Sequence, residues 1–307
     1  MAARGVTAGF LHREASSESS TKIRARSLLT SAAIAVVLVV VSAPGWLPLL
    51  DPRFYHSHDG FEHAFRILSV ESAVRKGILL PRWVPELAGG FGYPIFSVYG
   101  PLGYYVPTAL TLAGLSVFDS IKVDTALLCL ASAAAAYYAV RTYAGRLPAL
   151  AGAAAYACAP YTMVNAFVRA DVAELATFPL TALTVAGLLR LDRRLACEPV
   201  PRFGSLWPAI AAVSVPLALI PAAHEISLLT FMPTLLALVA FGALRGLGRH
   251  GSLALATTTF GLACAMGALL AAWYLMPALT WQGWLRISTS PNDGHFYGKL
   301  LDVAQLV

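Results

Sequence analysis

A short polar stretch, residues 51–66, holds the densest group of side chains able to do chemistry. Asp59 precedes a helical pattern on which Glu62, His63 and Arg66 recur at spacings of three and four residues. Such spacings place side chains on one helix face, so the pattern predicts a titratable stripe with Asp59 as its N-cap. A carboxylate on this stripe is able to act as a general base. A solvated surface helix fits the same pattern.

The stripe also contains residue types that bind divalent metals. His58, Glu62 and His63 offer two imidazoles and one carboxylate within six residues. Imidazole and carboxylate are both ligands of zinc and related ions. The spacing matches no strong motif, because Asp59 stands where an H-x-x-E-H protease requires histidine. A divalent metal at these three residues is one hypothesis beside the general base.

Two further polar groups stand at boundaries between apolar blocks. Arg169, Asp171 and Glu174 lie where one block ends and the next begins, and His224 with Glu225 occupies a later boundary. The planar guanidinium of Arg169 suits a phosphate group. An ion pair between Arg169 and the two acids is the alternative, as is simple loop polarity for His224 and Glu225.

The elements that must position these residues are transmembrane helices. The chain is 58% hydrophobic and only 12% charged, about half the charge of a soluble domain. Its apolar blocks are long enough to cross a hydrocarbon core of about 30 Å. A barrel would need alternating strands instead, so we expect helices throughout. The blocks are 28–50, 94–118, 123–143, 147–165, 172–189, 207–223, 226–244 and 252–280.

The distribution of charge indicates how many blocks cross the membrane. If 94–118 lies along the outer surface, 13 of the 22 Lys and Arg residues but only 4 of the 16 acids fall inside. If 94–118 crosses, the basic excess moves outside, against the positive-inside rule. The sequence therefore predicts an all-α polytopic transmembrane helix bundle of about seven crossings. Its N-terminus would be cytoplasmic and its polar groups would share the extracytoplasmic face of the cell (cytoplasmic) membrane.

The block 28–50 also resembles a signal peptide, because Val41-Ser42-Ala43 is similar to a cleavage site. The apolar run continues to Leu50, which favours a retained helix. The predicted parts are a disordered cytoplasmic tail (1–27), a transmembrane helical module (28–280) whose first extracytoplasmic loop (51–122) carries interfacial helices, and the start of a second extracytoplasmic segment (281–307), which we expect to be truncated.

Several classes of function receive little support. The basic residues lie in short loops and form no stripe interleaved with aromatics, so no nucleic-acid partner is expected. The four cysteines show no metal spacing. The crossing blocks carry no ionisable residue near their centres, where ion-coupled transporters keep such groups. A transporter is therefore the weakest of the alternatives considered.

The motifs resemble a known superfamily. Asp59 after the first helix, then Gly92-Tyr93-Pro94 and the run from Tyr99 to Tyr105, resembles the opening of GT-C type membrane glycosyltransferases. A later run is similar to a signature of bacterial membrane proteins labelled 6-pyruvoyl-tetrahydropterin-synthase-related, although nothing in it suggests pterin chemistry. The residues of that run are Tyr161, Asn165, Arg169, Asp171 and Glu174. The resemblance covers roughly residues 28–280.

The resemblance implies a sugar donor linked to polyprenyl phosphate and an inverting transfer outside the cytoplasm. It implies Asp59 as the catalytic base, with Arg169 and Arg66 near the lipid phosphate. The other expected substrate-binding residues are Tyr104, Asp171, Glu174, His224 and Glu225. The alternatives are a non-catalytic membrane protein that binds a lipid-linked glycan or a partner, and a lipid or glycan transporter.

Overall fold

The computed structural model describes residues 24–197, 203–250 and 253–281. Of the predicted second extracytoplasmic segment (281–307), residues 282–307 lie outside the described residues, as does most of the predicted tail (1–27). Throughout the described part of the chain the structure is helical, and its only bridge of β type joins Val84 to Tyr93. The all-α prediction is confirmed.

The described α-helices are numbered in chain order. They are α1 (Arg24–Val41), α2 (Gly60–Arg75), α3 (Ile95–Val98), α4 (Tyr105–Leu112), α5 (Val117–Val140), α6 (Arg146–Ala157), α7 (Pro160–Met163), α8 (Val172–Cys197), α9 (Phe203–Ala223), α10 (Glu225–His250) and α11 (Leu253–Trp281). A π-helical turn, Val164–Arg169, follows α7.

Six of these helices, α1, α5 and α8 to α11, are long and apolar enough to cross a membrane. Helix α6 and the segment Pro160–Arg169, bent by 45° at a short break, are together long and apolar enough for a seventh crossing if they form one span. Pro160 begins the second piece, and a proline at the start of a helix is tolerated because its missing N–H has no helical partner there. The chain is a multi-pass membrane protein with six or seven crossings, as predicted.

The block 94–118 forms no crossing helix. It divides into α3, a 3-10 turn at Leu102–Tyr104, and α4. The longest piece, α4, has 8 residues and is about 12 Å long, far short of the hydrocarbon thickness. Gly100, Pro101 and Gly103 lie between α3 and α4 and interrupt the helix. The prediction that 94–118 is interfacial agrees with these short pieces.

Two helix boundaries differ from those of the apolar blocks. Residues 24–27, assigned to the tail by the sequence, belong to α1. Helix α5 begins at Val117, six residues before its apolar block, because Ser116 caps it by accepting the N–H of Asp119 at 3.1 Å. Asp124 therefore lies two turns inside a crossing helix, where it is buried.

The up-and-down order of the crossings brings distant segments to one end of the bundle. The start of α8, the end of α9 and the start of α10 meet there, beside the loop between α1 and α5. Helix α2 lies against this end and buries Ala64, Ile67 and Val70 in a cluster with Tyr104 and Val172. Its other face exposes Phe61, Phe65 and Leu68. Both faces of α2 therefore carry apolar side chains.

Candidate functional site

Arg169 is the centre of a polar cluster at the end of the bundle where α8 begins. Its Nε lies 3.6 Å from Oδ2 of Asp59. Its Nη2 donates to Oδ2 of Asp171 at 2.8 Å, and its Nη1 donates to Oε2 of Glu174. Three carboxylates thus surround one guanidinium, and by formal charge two of the negative charges are not balanced by Arg169.

The local backbone explains how Arg169 and two of its partners meet. The π-helical turn ends at Arg169, and Ala170 has φ 57°, in the left-handed region. This conformation is uncommon for a residue other than glycine, and such positions concentrate at functional sites. Asp171 then caps α8, because its Oδ1 accepts the N–H of Glu174 at 2.9 Å. The sharp turn therefore folds Arg169 back over the start of α8.

A second layer of buried residues supports the cluster from α2 and the 3-10 turn. Nδ1 of His63 lies 2.9 Å from Oη of Tyr104, and Nε2 of His63 lies 3.3 Å from Oδ1 of Asp171. Arg66 donates to the same Oη at 3.2 Å and lies 4.2 Å above the ring of Tyr99. Burial, followed by the positive charge of Arg66, lowers the pKa of His63 to about 3. The imidazole is therefore neutral at physiological pH.

Asp59 is held by its backbone and not by a capping bond. The N–H of His58 donates to the carbonyl of Val168, and the N–H of Asp59 to the carbonyl of Arg169, both at 2.9 Å. Asp59 precedes α2, but its side chain makes no capping hydrogen bond. Asp59 therefore occupies the predicted N-cap position, but the predicted capping bond is absent because the carboxylate turns towards Arg169. The side chain of Asp59 keeps 37% of its surface exposed, so one side is open.

The predicted titratable stripe is divided between two faces of α2. Adjacent residues of a helix do not face the same way. His63 accordingly points into the protein, whereas Glu62 is exposed and accepts from Arg66 at 3.1 Å. His58 is also exposed. The predicted metal set of His58, Glu62 and His63 is therefore not brought together, and only His63 contacts the cluster.

The structure brings other potential metal ligands together. Ligand atoms of Asp59, His63 and Asp171 all lie within 4.8 Å of one another. The same holds for a second group, Asp171, Glu174 and His224. Asp171 belongs to both groups.

The structure does not support a phosphate-binding role for Arg169. Each of its three nitrogens faces a carboxylate, and a phosphate would have to approach through this negative charge. Arg66 is also engaged, with Tyr104, Glu62 and the ring of Tyr99. The predicted ion pair between Arg169 and the acids is the arrangement that the structure contains.

His224 and Glu225 lie at the same end but bind protein groups. Nδ1 of His224 lies 2.8 Å from Oγ of Ser227. Glu225 accepts from the N–H of Gly100 and from the hydroxyl of Tyr274, both at 3.3 Å. A Cβ at Gly100 would lie 2.4 Å from the carbonyl oxygen of Ala222, so this contact requires glycine. Glu225 thus fastens the loop after α3 onto α10 and α11.

Two site residues were missed by the sequence analysis, namely Tyr99 and Tyr274. Tyr99 lies under Arg66 and meets His224 edge to face at 5.6 Å. Tyr274 lies in an apolar helix, where a fully buried tyrosine is itself a signal because its hydroxyl requires a partner. Tyr161, present in the predicted run, donates to Oε1 of Glu174 at 2.5 Å.

In comparisons with known proteins, no family model matches the chain, and neither a curated protein nor a solved structure gives a significant match. The class of protein is therefore defined by the fold and the site alone. The structure shows a polytopic helical membrane protein with a partly buried acid, arginine and histidine cluster at one end. The resemblance to GT-C glycosyltransferases stays a prediction.

Proposed function

We propose that this protein is a membrane glycosyltransferase that uses a sugar linked to polyprenyl phosphate. The observation that carries the proposal is the position of Asp59. Two backbone hydrogen bonds fix its loop against the turn at Arg169, and its carboxylate lies 3.6 Å from Nε of Arg169, yet one side of the side chain stays exposed. A positioned and accessible carboxylate at a polar end of a membrane bundle suits proton transfer from an acceptor hydroxyl.

The proposed reaction is an inverting substitution. The acceptor oxygen forms a bond to the anomeric carbon while the bond from that carbon to the phosphate oxygen breaks. The electron pair of the broken bond leaves with the polyprenyl phosphate, and the proton of the acceptor hydroxyl passes to Asp59. Arg169, although neutralised by carboxylates, holds the carboxylate of Asp59 in place.

The bundle suits a donor with a lipid tail. Phe61, Phe65 and Leu68 on α2 are exposed beside the polar cluster, as expected for a helix in the membrane interface. We propose that the chain lies in the cytoplasmic membrane with its N-terminus inside. The support is the basic excess at the opposite end of the bundle, since cytoplasmic loops are enriched in Lys and Arg. The polar cluster is then extracytoplasmic.

The test is transfer activity of the Asp59→Asn variant in lipid nanodiscs with polyprenyl-phosphate sugars. Loss of the base should lower turnover by about 100-fold or more. Asp51→Asn is the matched control, because Asp51 is a carboxylate of the same loop that pairs with Arg53 outside the cluster. Full activity of Asp59→Asn, with the control also active, contradicts the proposal.

A second candidate function follows from the contact of every Arg169 nitrogen with a carboxylate. A guanidinium held by three carboxylates is also expected in a cluster that only fastens loops together. A non-catalytic protein that binds a lipid-linked glycan or a partner would need nothing more. Binding of the glycan donor without turnover, and with equal affinity in wild type and Asp59→Asn, would favour this candidate.

A further inference from the structure

An imidazole and a carboxylate at the base of the cluster have the spacing of two ligands on one ion. Nε2 of His63 lies 3.3 Å from Oδ1 of Asp171. Two ligands that are each about 2.1 Å from the same ion lie about 3.0 to 3.4 Å apart in tetrahedral or octahedral geometry. The exposed side of Asp59 supplies a third ligand atom within 4.8 Å of both.

The charge of the cluster also favours a cation. Asp59, Asp171 and Glu174 face one arginine, Arg169, so two formal negative charges lack a positive partner within the cluster. Asp171 and Glu174 are both buried, and uncompensated charge is costly to bury. A divalent cation would supply the two missing charges.

Tyr104 gives His63 the partner that a metal-binding histidine normally has. Such a histidine usually makes a hydrogen bond through its second ring nitrogen, which fixes the tautomer. Here Nδ1 of His63 lies 2.9 Å from Oη of Tyr104. When Nδ1–H donates to that oxygen, the lone pair of Nε2 is directed towards Asp171. Arg66 holds Tyr104 in place by donating to the same oxygen at 3.2 Å.

We propose that Asp59, His63 and Asp171 bind one divalent transition-metal ion. The mixed nitrogen and oxygen ligands suit zinc, manganese or cobalt, whereas calcium and magnesium prefer oxygen ligands alone. The second group is a poorer site, because its three residues are all buried, whereas Asp59 of the first group is partly exposed. The inference concerns binding, and it holds whether or not the protein transfers a sugar.

The test is a manganese titration of the chelator-treated protein in nanodiscs, followed by electron paramagnetic resonance of free Mn²⁺. Wild type should bind one ion per chain. His63→Gln should weaken binding by about 10-fold or more. Glu62→Gln is the matched control, since Glu62 is the neighbour of His63 on the exposed face of α2, and it should bind like wild type.

Asp59→Asn provides a second variant, because the half-exposed side chain of Asp59 tolerates replacement better than the buried His63. It should also weaken binding, with an unchanged melting temperature in the absence of the ion. The proposal is overturned if wild type binds no ion more tightly than about 1 mM. It is also overturned if His63→Gln and Asp59→Asn bind like wild type, or if only His224→Gln loses the ion.

Discussion

Arg169 and Arg245 have equally exposed side chains, at 31%, and lie at opposite ends of the bundle. Arg169 faces three carboxylates, whereas the one salt bridge that the described structure shows for Arg245 is to Asp192, at 3.2 Å. The hydroxyl of Tyr143 donates to the same carboxylate. The first end therefore has an excess of acid, and the second has a matched pair of charges.

The other arginines of the second end make separate contacts. Arg190 lies 3.4 Å above the ring of Tyr138, and Arg193 donates to the carbonyl of Thr142 at 2.7 Å. Such contacts anchor individual side chains near a membrane surface, where basic residues determine topology. At the first end, in contrast, the charged side chains share one partner, Arg169. One end thus gathers three carboxylates around one arginine, whereas at the other end Arg190, Arg193 and Arg245 each contact a different group.

The largest expected effect is on stability. Arg169→Gln leaves buried carboxylates without their cation, so we expect the unfolding free energy to fall by about 3 kcal/mol. Arg245→Gln leaves one buried carboxylate, that of Asp192, which keeps its hydrogen bond from Tyr143, so the loss should be smaller, about 1.5 kcal/mol. Thermal unfolding of both variants in the same nanodiscs measures the difference. Equal losses of unfolding free energy would contradict this difference between the two ends.

Packing should differ between the ends in a similar way. A Cβ at Gly100 would lie 2.4 Å from the carbonyl oxygen of Ala222, so Gly100→Ala should lower the unfolding free energy by about 2 kcal/mol. Gly204, near the start of α9, has open space around the same position. Gly204→Ala should raise stability by about 0.5 kcal/mol, because alanine favours the helix. A destabilised Gly204→Ala variant would contradict this contrast.

Coupling between mutations gives a smaller but more specific effect. Glu174→Gln should cost less in the Arg169→Gln background than in wild type, because the carboxylate has then already lost its partner. We expect a coupling energy of about 1 kcal/mol from a double-mutant cycle. Arg190 and Arg245 contact different partners, so the losses of unfolding free energy caused by Arg190→Gln and Arg245→Gln should add within about 0.5 kcal/mol. Additivity at both ends would mean that Arg169 is a simple anchor.

Much of the fold could be predicted from composition and charge. The number of crossings, the short helices in 94–118 and the placement of Asp59 and Arg169 at the same end follow from apolar length and loop charge, whereas the contact between these two residues does not. The two groups of potential metal ligands could not be predicted in this way. A spacing of four residues pairs Asp59 with His63 and Glu62 with Arg66. Which side chains face the protein interior depends on where α2 packs, and the spacing does not show this.

The contact of all three Arg169 nitrogens with carboxylates could not be predicted from the sequence either. It depends on the left-handed turn at Ala170, which directs the guanidinium back over α8. An alanine in that conformation has no recognisable pattern in a single sequence, since glycine is the usual residue there. The sequence therefore showed an arginine near acids but not an arginine enclosed by them. Because of this turn, Arg169 belongs to a site with an excess of negative charge and is not free to bind a phosphate.

The smallest expected effect is a pH dependence confined to the first end. The pKa of His63 is about 3 in the folded protein, below its ordinary value of 6.5, because the ring is buried and lies near Arg66. Between these two values the unfolded chain binds a proton at this residue and the folded chain does not. Stability should therefore be complete above about pH 6.5 and fall as the pH decreases below it.

His63→Gln lacks this proton uptake, so its melting temperature should fall less than that of wild type between about pH 7.5 and pH 5.5. Chelator in both samples keeps the release of a bound cation from adding to the slope. His56→Gln, a change at an exposed histidine of the same loop, should keep the wild-type slope. An unchanged slope in His63→Gln would mean that the imidazole is not neutral in the folded state. The cluster would then carry less negative excess than the comparison with Arg245 requires.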